Sequence, residues 1–485
     1  MKLPVTLRLW LVRFGARFMI PGPVREIART LSSYGHEAYV VGGCVRDLVL
    51  GRIPHDWDVA TDAPPAEVMH VFPDVRPTGV KHGTVTVIIR GMPVEVTTYR
   101  VEGRYTDRRH PDVVRFVRRL EDDLGRRDLT INAIALHPRG RIVDPYRGVD
   151  DLKRRLVRAV GDPLARFDED PLRMLRAIRL AAELVFDIDE TTYEAIKAKA
   201  SLIRNVSMER IGEEIARALV SPKPGFAMEL MRETGLLKYV IPELLEGYGF
   251  PQNEHHAYPV WEHSLIALEE MPPVLHLRWA GLLHDVGKPR TASIVDGERH
   301  FFNHEYVGAT MAENILRRLR FDQKTVEKVT HLVRNHMALH YQNDMTDAAI
   351  RRLIRRVGLE NMPDLITLRR ADRIASGKKE GELSRGTELL LDRIQEVLAQ
   401  EAAFSLKDLA VDGHDVMAVA GIGPGPTVGR ILRALFDDVL ENPHHNTREY
   451  LLPRIVALKS ELAQISNTAG NGRVSAEMDI HDHPS

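Results

Sequence analysis

Hydrophobic and polar positions divide the chain into a strand-rich part and a helical part. Residues 23–35 have helical periodicity and end at Gly35, "EAYVVGG" predicts a buried strand, and "DWDVAT" predicts a second strand. The run "TVTVIIRGMPVEVTTYR" has two β-rich stretches around Gly91, Met92 and Pro93, which predicts a hairpin. With the element that starts at "TINAIAL", these patterns indicate a compact mixed α/β unit that ends near residue 160.

Helical periodicity replaces the strands after residue 160. "EDPLRMLRAIRLAAEL", "DETTYEAIKAKASLI" and "MERIGEEIARALV" place their apolar residues three and four positions apart. The expected fold class is therefore α+β, with a small N-terminal mixed α/β head followed by an all-helical body. The predicted segments are an amphipathic stretch at 1–22, the head at 23–160, helical regions at 161–250, 251–376 and 377–465, and a disordered polar tail at 466–485.

The N-terminal residues and the composition limit where in the cell the protein is expected and what it is expected to bind. Arg8, Arg13 and Arg17 interrupt the apolar residues of 1–22, which favours an amphipathic helix over a signal peptide or a membrane span; peripheral membrane contact is the alternative. The formal net charge is −1, so a nucleic acid would have to bind through local basic patches. The single Cys44 excludes an internal disulfide framework and indicates a reducing cytoplasm, and we expect no requirement for a membrane.

Two aspartates separated by a tryptophan are the first candidate for chemistry. On a strand, residues i and i+2 point to the same face, so Asp56 and Asp58 would project together. A divalent cation would relieve their repulsion, and Mg²⁺ usually binds through one or two carboxylates plus substrate phosphates. Glu95, on the following hairpin, is the candidate third carboxylate. The alternative is that both aspartates are solvated carboxylates at a strand edge.

A glycine pair stands before these aspartates. Glycines after a strand let the backbone approach a phosphate, and the next helix would offer its N–H groups; the alternative is a plain turn. The stretch "GGCVRDLVLGRIPHDWDVAT" resembles the nucleotidyltransferase signature of class II tRNA nucleotidyltransferases (CCA-adding enzymes) and of the related bacterial poly(A) polymerases. The resemblance implies that a nucleoside triphosphate and catalytic Mg²⁺ bind here, the first held by Gly42, Gly43, Arg46 and Asp47 and the second by Asp56 and Asp58.

Three further stretches resemble the same family. "YRVEGRYTDRRHPDVVRF" resembles its flexible loop, and its alternative is a solvated arginine-rich loop. "RRDLTINAIA" resembles the motif that recognises the ribose, which implies that Asp128 accepts a hydrogen bond from the 2′-hydroxyl, supported by Arg127 and Asn132; the alternative is a helix start capped by Asp128. "EDPLR" resembles the amino-acid template for the incoming base.

In the template motif, Asp170 and Arg173 would share a helix face and offer acceptors and a planar donor fork to the base. The alternative is that Asp170, before Pro171, is only a helix cap. "ERIGEEIARAL" resembles a later family helix in which Arg210 and Glu213 are expected to be structural. The ordered matches cover residues 35–245, about half of the chain.

A second set of motifs is rich in histidine. "VWEHSLIAL", "LLHDVGKP", "NHEYVGA", "VRNHM" and "RRADRIASG" resemble an HD-type metal-dependent phosphohydrolase domain, although each histidine alone would be more typical of a core or surface residue. Imidazole and carboxylate ligands suit transition metals such as Mn, Ni, Co or Fe, and Lys288 could meet a phosphate. The resemblance implies the metal ligands His263, His284, Asp285 and Asp372, with His304 and His336 added in a two-metal version.

The resemblance implies template-independent addition of C and A to the 3′ end of a tRNA. The RNA 3′-hydroxyl would attack the α-phosphate of CTP or ATP, and pyrophosphate would leave. Enzymes that add only A, only CC or a poly(A) tail are the alternatives within the class. An HD phosphohydrolase with an RNA-binding N-terminal half is the alternative of another class, and a non-catalytic RNA-binding scaffold is the third hypothesis.

Overall fold

The computed structural model describes residues 4–103, 114–339, 345–378, 383–399 and 406–474. Residues 104–113 of the predicted flexible loop lie outside these ranges. The chain forms two compact units, Met1–Val333 with Ala375–Lys378 and Arg334–Ile374 with Lys379–Ser485. The boundary between the two units falls inside the predicted segment 251–376. The bounds of the predicted segments stay a prediction.

A seven-stranded mixed sheet forms the centre of the head. Its order is β3-β4-β5-β2-β1-β8-β9, in which β2 pairs with β5 in parallel and the other neighbours are antiparallel. The elements of the head are α1 (Val5–Met19), α2 (Gly22–Ser33), β1 (Ala38–Val41), α3 (Gly43–Leu50), β2 (Asp58–Thr61), α4 (Pro65–Val71), β3 (Val75–Gly79), β4 (Thr84–Ile89), β5 (Met92–Thr98), β6 (Arg100–Glu102), β7 (Val114–Phe116), α5 (Leu120–Gly125), β8 (Ala135–Leu136), β9 (Ile142–Val143), α6 (Gly148–Arg154) and β10 (Leu156–Val157).

Both faces of the sheet are covered, which explains its continuous apolar strands. Val40 and Val59 belong to the main core, whereas Tyr39, Val41 and Ala60 pack into a second cluster on the opposite face. Each strand alternates between the two faces, so a strand buried on both sides needs apolar residues at every position.

The predicted hairpin is present, but its turn lies one step earlier than expected. Ile89 pairs with Met92 and Ile88 with Pro93, so Met92 and Pro93 already belong to β5. The turn residues are Arg90 and Gly91, with φ of 51° and 77°. Two positive φ values are typical of a type I′ turn, whose twist matches that of the paired strands.

Helices dominate after the head. The body also contains short strands, so it is mostly rather than entirely helical, and the expected α+β architecture is confirmed. Its elements up to the second unit are α7 (Pro163–Glu169), α8 (Leu172–Leu184), β11 (Asp187–Ile188), α9 (Glu190–Lys199), α10 (Met208–Leu219), α11 (Pro224–Glu233), α12 (Leu237–Val240), α13 (Val260–Glu270), α14 (Leu275–Leu283), α15 (Lys288–Thr291), β12 (Ala292–Val295), β13 (Glu298–Phe301), α16 (His304–Arg318) and α17 (Gln323–Asn335).

The second unit is built from helices with a core of its own around Leu435, Phe436 and Leu451. Its last helix runs to Val474. The disordered tail expected at 466–485 stays a prediction. Residues 475–485 lie outside the described ranges. The helices are α18 (Asp347–Val357), α19 (Met362–Ala375), α20 (Arg385–Ala399), α21 (Gly413–Ala420), α22 (Pro426–Glu441) and α23 (Arg448–Val474).

Within the described residues, no helix is both long enough and apolar enough to cross a bilayer.

Candidate active site and metal centre

The turn between β1 and α3 brings the first site residues together. Gly42 has φ of 82°, a backbone conformation that favours glycine, and α3 begins at the next residue. A Cβ atom at Gly42 would lie 3.1 Å from Arg127 Nη1 and 3.3 Å from Asp58 Oδ2. The glycine therefore leaves room for an arginine and an aspartate directly beside the turn.

Three carboxylates surround the start of β2. Asp58 is the first residue of β2, and its parallel-register neighbour on β5 is Glu95. Asp56 lies in the bend before β2, so the strand alternation predicted for the two aspartates does not apply to it. Asp56 and Asp58 nevertheless line one cavity of about 680 Å³.

The surroundings of Asp58 raise the pKa of its carboxyl group. Burial raises its pKa to about 6; Arg127 opposes this, and the charges of Glu95 and Asp56 add to it. Neighbouring carboxylates that disfavour one another's charge form a donor set that fits a divalent cation.

The predicted triphosphate-binding residues form one wall of the same cavity. Arg46 Nη1 donates to Asn132 Oδ1 at 2.8 Å, and Arg46 Nε donates to Asp47 Oδ1 at 2.9 Å. Gly43, Arg46, Asp47 and Asn132 all line the cavity that contains Asp56 and Asp58. The guanidinium of Arg46 is thus held by two acceptors and aimed beside the carboxylates.

Asp128 is held by several donors. Its Oδ2 accepts from Arg176 Nε at 2.7 Å, and its Oδ1 accepts from Asn132 Nδ2 at 3.3 Å and from the Leu129 backbone N–H at 2.8 Å. Burial alone would raise the pKa of Asp128, but the charges and hydrogen bonds of its neighbours, above all Arg176, hold that pKa well below its usual range. Asp128 is therefore ionised at neutral pH.

Asp170 and Arg173 lie at the start of α8. Asp170 Oδ1 accepts from the Leu172 backbone N–H at 3.0 Å, so its helix-cap role is present, and its Oδ2 accepts from Arg210 Nη2 at 2.8 Å. Arg173 Nη1 donates to Glu169 Oε2 at 2.8 Å. A second cavity of about 360 Å³ is lined by this pair and by Asp58, Glu95, Arg127, Asp128, Arg176 and Arg210.

Four residues of the histidine set form a buried cluster in the first unit. His263 Nε2 and His284 Nε2 lie 3.2 and 3.3 Å from Asp285 Oδ2, and His304 Nε2 lies 3.4 Å from Asp285 Oδ1. Lys288 Nζ donates to Asp285 Oδ2 at 2.6 Å. All these side chains are buried.

Backbone carbonyls orient two of these histidines. His284 Nδ1 lies 2.9 Å from Gly281 O, and His304 Nδ1 lies 2.7 Å from Phe301 O. A proton on Nδ1 leaves the lone pair on Nε2, the atom that lies beside Asp285 in both residues, and metal-binding histidines commonly use this arrangement. His336 and Asp372 belong to the second unit, so their part in a metal site stays a prediction from the sequence.

Comparison with known proteins decides the family. The poly(A) polymerase head domain model matches residues 38–158, the model for a probable RNA- and SrmB-binding site of polymerase A matches 185–247, and the HD domain model matches 254–377. The CCA-adding enzyme of Anoxybacillus flavithermus is 34% identical over 426 residues, covering 88% of this chain and 94% of that protein. The chain belongs to the CCA-adding enzyme family.

Two further similarities agree with this membership. The CCA-adding enzyme of Geobacillus thermodenitrificans is 46% identical over 262 residues, which cover 54% of this chain and 62% of that protein. The crystal structure of the Bacillus stearothermophilus CCA-adding enzyme in complex with CTP matches with a TM-score of 0.67 and 30% identity, covering 93% of this chain and all of that one. The resemblance stated from the motifs is confirmed, and the chain is a nucleotidyltransferase, for which the family implies a divalent metal.

Sequence reasoning missed Arg176, which lines both cavities, as Asp58 does. A signal was available, because Arg173, Arg176 and Arg179 are three residues apart and share one side of α8. Arg210, expected to be structural, contacts the predicted template residue Asp170 directly.

Several arginines of the helical body are engaged within the protein. Arg317 pairs with Glu313 and Arg318 with Glu243, and Arg351 donates to the backbone carbonyls of Leu440 and Glu441. These three arginines therefore have partners within the protein, and which basic residues contact RNA stays a matter for experiment.

Proposed function

We propose that this chain completes the 3′ end of tRNA by adding C, C and A from CTP and ATP with Mg²⁺, releasing pyrophosphate. The observation that carries the proposal is the sharing of Asp58 by two cavities. One cavity holds the Arg46 side of the turn, and the other holds Asp170 and Arg173. A nucleotide with its base at Asp170 and its phosphates at the turn would place its α-phosphate beside the carboxylates. The same proposal is supported by the name of the relatives, CCA-adding enzyme, and by the complex of one of them with CTP.

In this proposal, Asp56 and Asp58 bind the catalytic cation, and Glu95 is the neighbouring carboxylate that keeps the site negative. When bound, Mg²⁺ lowers the pKa of the RNA 3′-hydroxyl and neutralises charge on the phosphates. Gly42 and Gly43 let the backbone approach the triphosphate, and Arg46 binds it, oriented by its hydrogen bond to Asp47.

Sugar and base are selected in the smaller cavity. Asp128 is ionised, and each of its carboxylate oxygens has more than one lone pair. It can therefore accept a hydrogen bond from a ribose 2′-hydroxyl while it keeps its hydrogen bonds with Asn132 and Arg176. Arg173 offers a planar donor fork and Asp170 offers acceptors, which together match the edge of C or A. Arg127, packed against Gly42 and Asp58, supports the phosphates and the carboxylate.

The test uses the purified chain with Mg²⁺ and tRNA transcripts that end before CCA, after C and after CC. Each is given CTP alone, ATP alone or both, and an unrelated oligo(A) RNA is the control acceptor. Addition of CCA with no extension beyond the terminal A supports the proposal. Addition of only A or only CC would show a restricted enzyme, long tails on oligo(A) would show a poly(A) polymerase, and no incorporation would refute the transferase site.

A second candidate activity rests on the buried cluster of His263, His284, Asp285 and His304. Imidazole and carboxylate donors fit Mn, Ni, Co or Fe, and His336 and Asp372 are the further ligands predicted from the sequence. Such a metal would supply an activated water. Lys288 would bind and orient the phosphate, because its ammonium group lies beside the proposed ligand Asp285.

The test of this second activity combines metal analysis with hydrolysis of a phosphomonoester and of a 2′,3′-cyclic nucleotide. His284→Ala should remove bound metal and hydrolysis together and leave CCA addition intact. Metal content and hydrolysis that do not respond to His284→Ala would place the activity elsewhere.

A further inference from the structure

Helix α1 presents an apolar face away from the protein. Leu7, Trp10, Phe14 and Phe18 are 44%, 55%, 69% and 77% exposed. They are spaced by three or four residues, so they form one stripe that runs about 17 Å along the helix. A soluble protein rarely leaves several large aromatic side chains exposed in one stripe without a partner.

The exposure is not the result of a detached helix. Val12 and Ala16, on the opposite side of α1, are buried in the main core. Gly140, with φ of 94°, lies so close that a Cβ atom there would be 1.9 Å from the carbonyl oxygen of Arg13. The helix is docked on the head through its other face, and the docking itself turns the stripe outwards.

The charged residues of α1 all have one sign. They are Arg8, Arg13 and Arg17, and the first acidic residue of the chain is Glu26. Arg8 donates to the Leu50 carbonyl oxygen, whereas Arg13 and Arg17 are exposed beside the aromatic residues. Any partner that covers the stripe therefore has to meet positive charge at its edge.

We propose that the outer face of α1 docks on an anionic lipid surface. Tryptophan, phenylalanine and leucine on one face with arginine at the border are the composition of helices that lie in the membrane interface. A second copy of α1 would bring arginines against arginines with no acidic residue to pair them. Double-stranded RNA is recognised mostly through its phosphates and 2′-hydroxyls, and to these the rings of the stripe offer only the indole N–H of Trp10.

The test measures co-sedimentation of the full chain with phosphatidylcholine vesicles, with and without about one-third phosphatidylglycerol. Binding is expected with the anionic vesicles and should weaken at high salt. Trp10 reports insertion directly, because Trp57, Trp261 and Trp279 are buried; its emission should shift to the blue on binding. The double variant F14Q/F18Q should reduce partitioning into the vesicles by at least about tenfold, because glutamine lacks the apolar surface that each phenylalanine ring would bury in the lipid.

Charge is tested separately with R13Q/R17Q, which should lower partitioning by about fivefold for each arginine on anionic vesicles only. Ile294→Gln is the matched control, since Ile294 is 64% exposed on β12, and it should change nothing. CCA addition by F14Q/F18Q should equal that of the wild type, which confirms folding.

Three results would overturn the proposal. One is no binding of the wild type to anionic vesicles, or binding that F14Q/F18Q leaves intact. The second is a dimer in sedimentation velocity that this variant dissociates, which would assign the face to a second copy. The third is a loss of tRNA affinity in the same variant without vesicle binding, which would assign it to RNA.

Discussion

Arg210→Met separates the helix-cap role of Asp170 from the role in base selection that we propose for it. Arg210 Nη2 donates to Asp170 Oδ2 at 2.8 Å, while Asp170 Oδ1 caps α8 through the Leu172 N–H. The side chains of Arg210 and Asp170 are 21% and 14% exposed. A hydrogen bond to a charged group contributes about 1.5–3 kcal/mol, and the partial exposure reduces this to about 1–2 kcal/mol. If Arg210 orients the carboxylate for the base, losing it should lower kcat/KM by about 5- to 30-fold.

The assay is single-turnover addition of C to tRNA lacking CCA and of A to tRNA ending in CC. Both rates should fall by similar factors, and misincorporation from GTP and UTP should rise, because a freely rotating Asp170 discriminates less between bases. Arg210→Lys should restore part of the rate, since lysine supplies a charged donor without the planar fork. Arg232→Met is the control, because Arg232 is 20% exposed and pairs with Glu229 on α11.

Two results would refute this account of Arg210. Unchanged rates and unchanged fidelity in Arg210→Met would show that Asp170 does not need the arginine to select a base. Equal rate losses in Arg210→Met and Arg232→Met would show that the effect comes from general destabilisation.

Three further predictions concern the carboxylates of the head. Asp58→Asn should reduce single-turnover addition by at least about a thousandfold with unchanged circular dichroism, because it removes the carboxylate common to both cavities; a loss of less than about tenfold would contradict this. Asp128→Ala should reduce the preference for CTP over dCTP by about tenfold or more, and an unchanged preference would remove Asp128 from ribose recognition. The third prediction concerns pH: the folded pKa of Asp128 lies below its unfolded value, so its stabilisation is present above about pH 4 and is lost as the pH falls through the folded pKa. Urea midpoints should therefore decline more steeply below pH 4 for the wild type than for Asp128→Asn, and parallel curves would contradict the assignment.

The strand–turn–helix at the active site could be predicted because its signals are local. Gly42 has to accept a positive φ, and the apolar run before it has to be buried, so "VVGG" contains enough information. The position of Asp56 could not be predicted, because the start of β2 depends on pairing with β1 and β5 rather than on residues 56–58 alone. The two aspartates still share a cavity, although strand alternation is not the reason.

Contacts between distant helices escaped the sequence reasoning. Arg176 reaches Asp128 and Arg210 reaches Asp170 only because α8 packs against the head and against α10. The spacing of arginines on α8 indicated a shared side but not what that side faces. The same limit applies to α1, where periodicity predicted an amphipathic helix and could not show that its aromatic residues point outwards.

The histidine cluster was predicted by motif order, and the structure adds its chemistry. Carbonyls of Gly281 and Phe301 set the orientation of His284 and His304, a detail that depends on backbone geometry. Lys288 Nζ also donates to Gln252 Oε1 at 2.6 Å, a contact that the motifs could not predict because Gln252 lies outside all of them.

The central claim is that a single site selects C and A by its own side chains and stops after CCA. The most direct test is sequencing of 3′ ends after the purified chain has been incubated with a tRNA lacking CCA and an equimolar mixture of all four nucleoside triphosphates with Mg²⁺. The account predicts that extended molecules end in CCA, with G and U excluded. Tails of mixed composition, tails that continue past the terminal A, or no extension would contradict it.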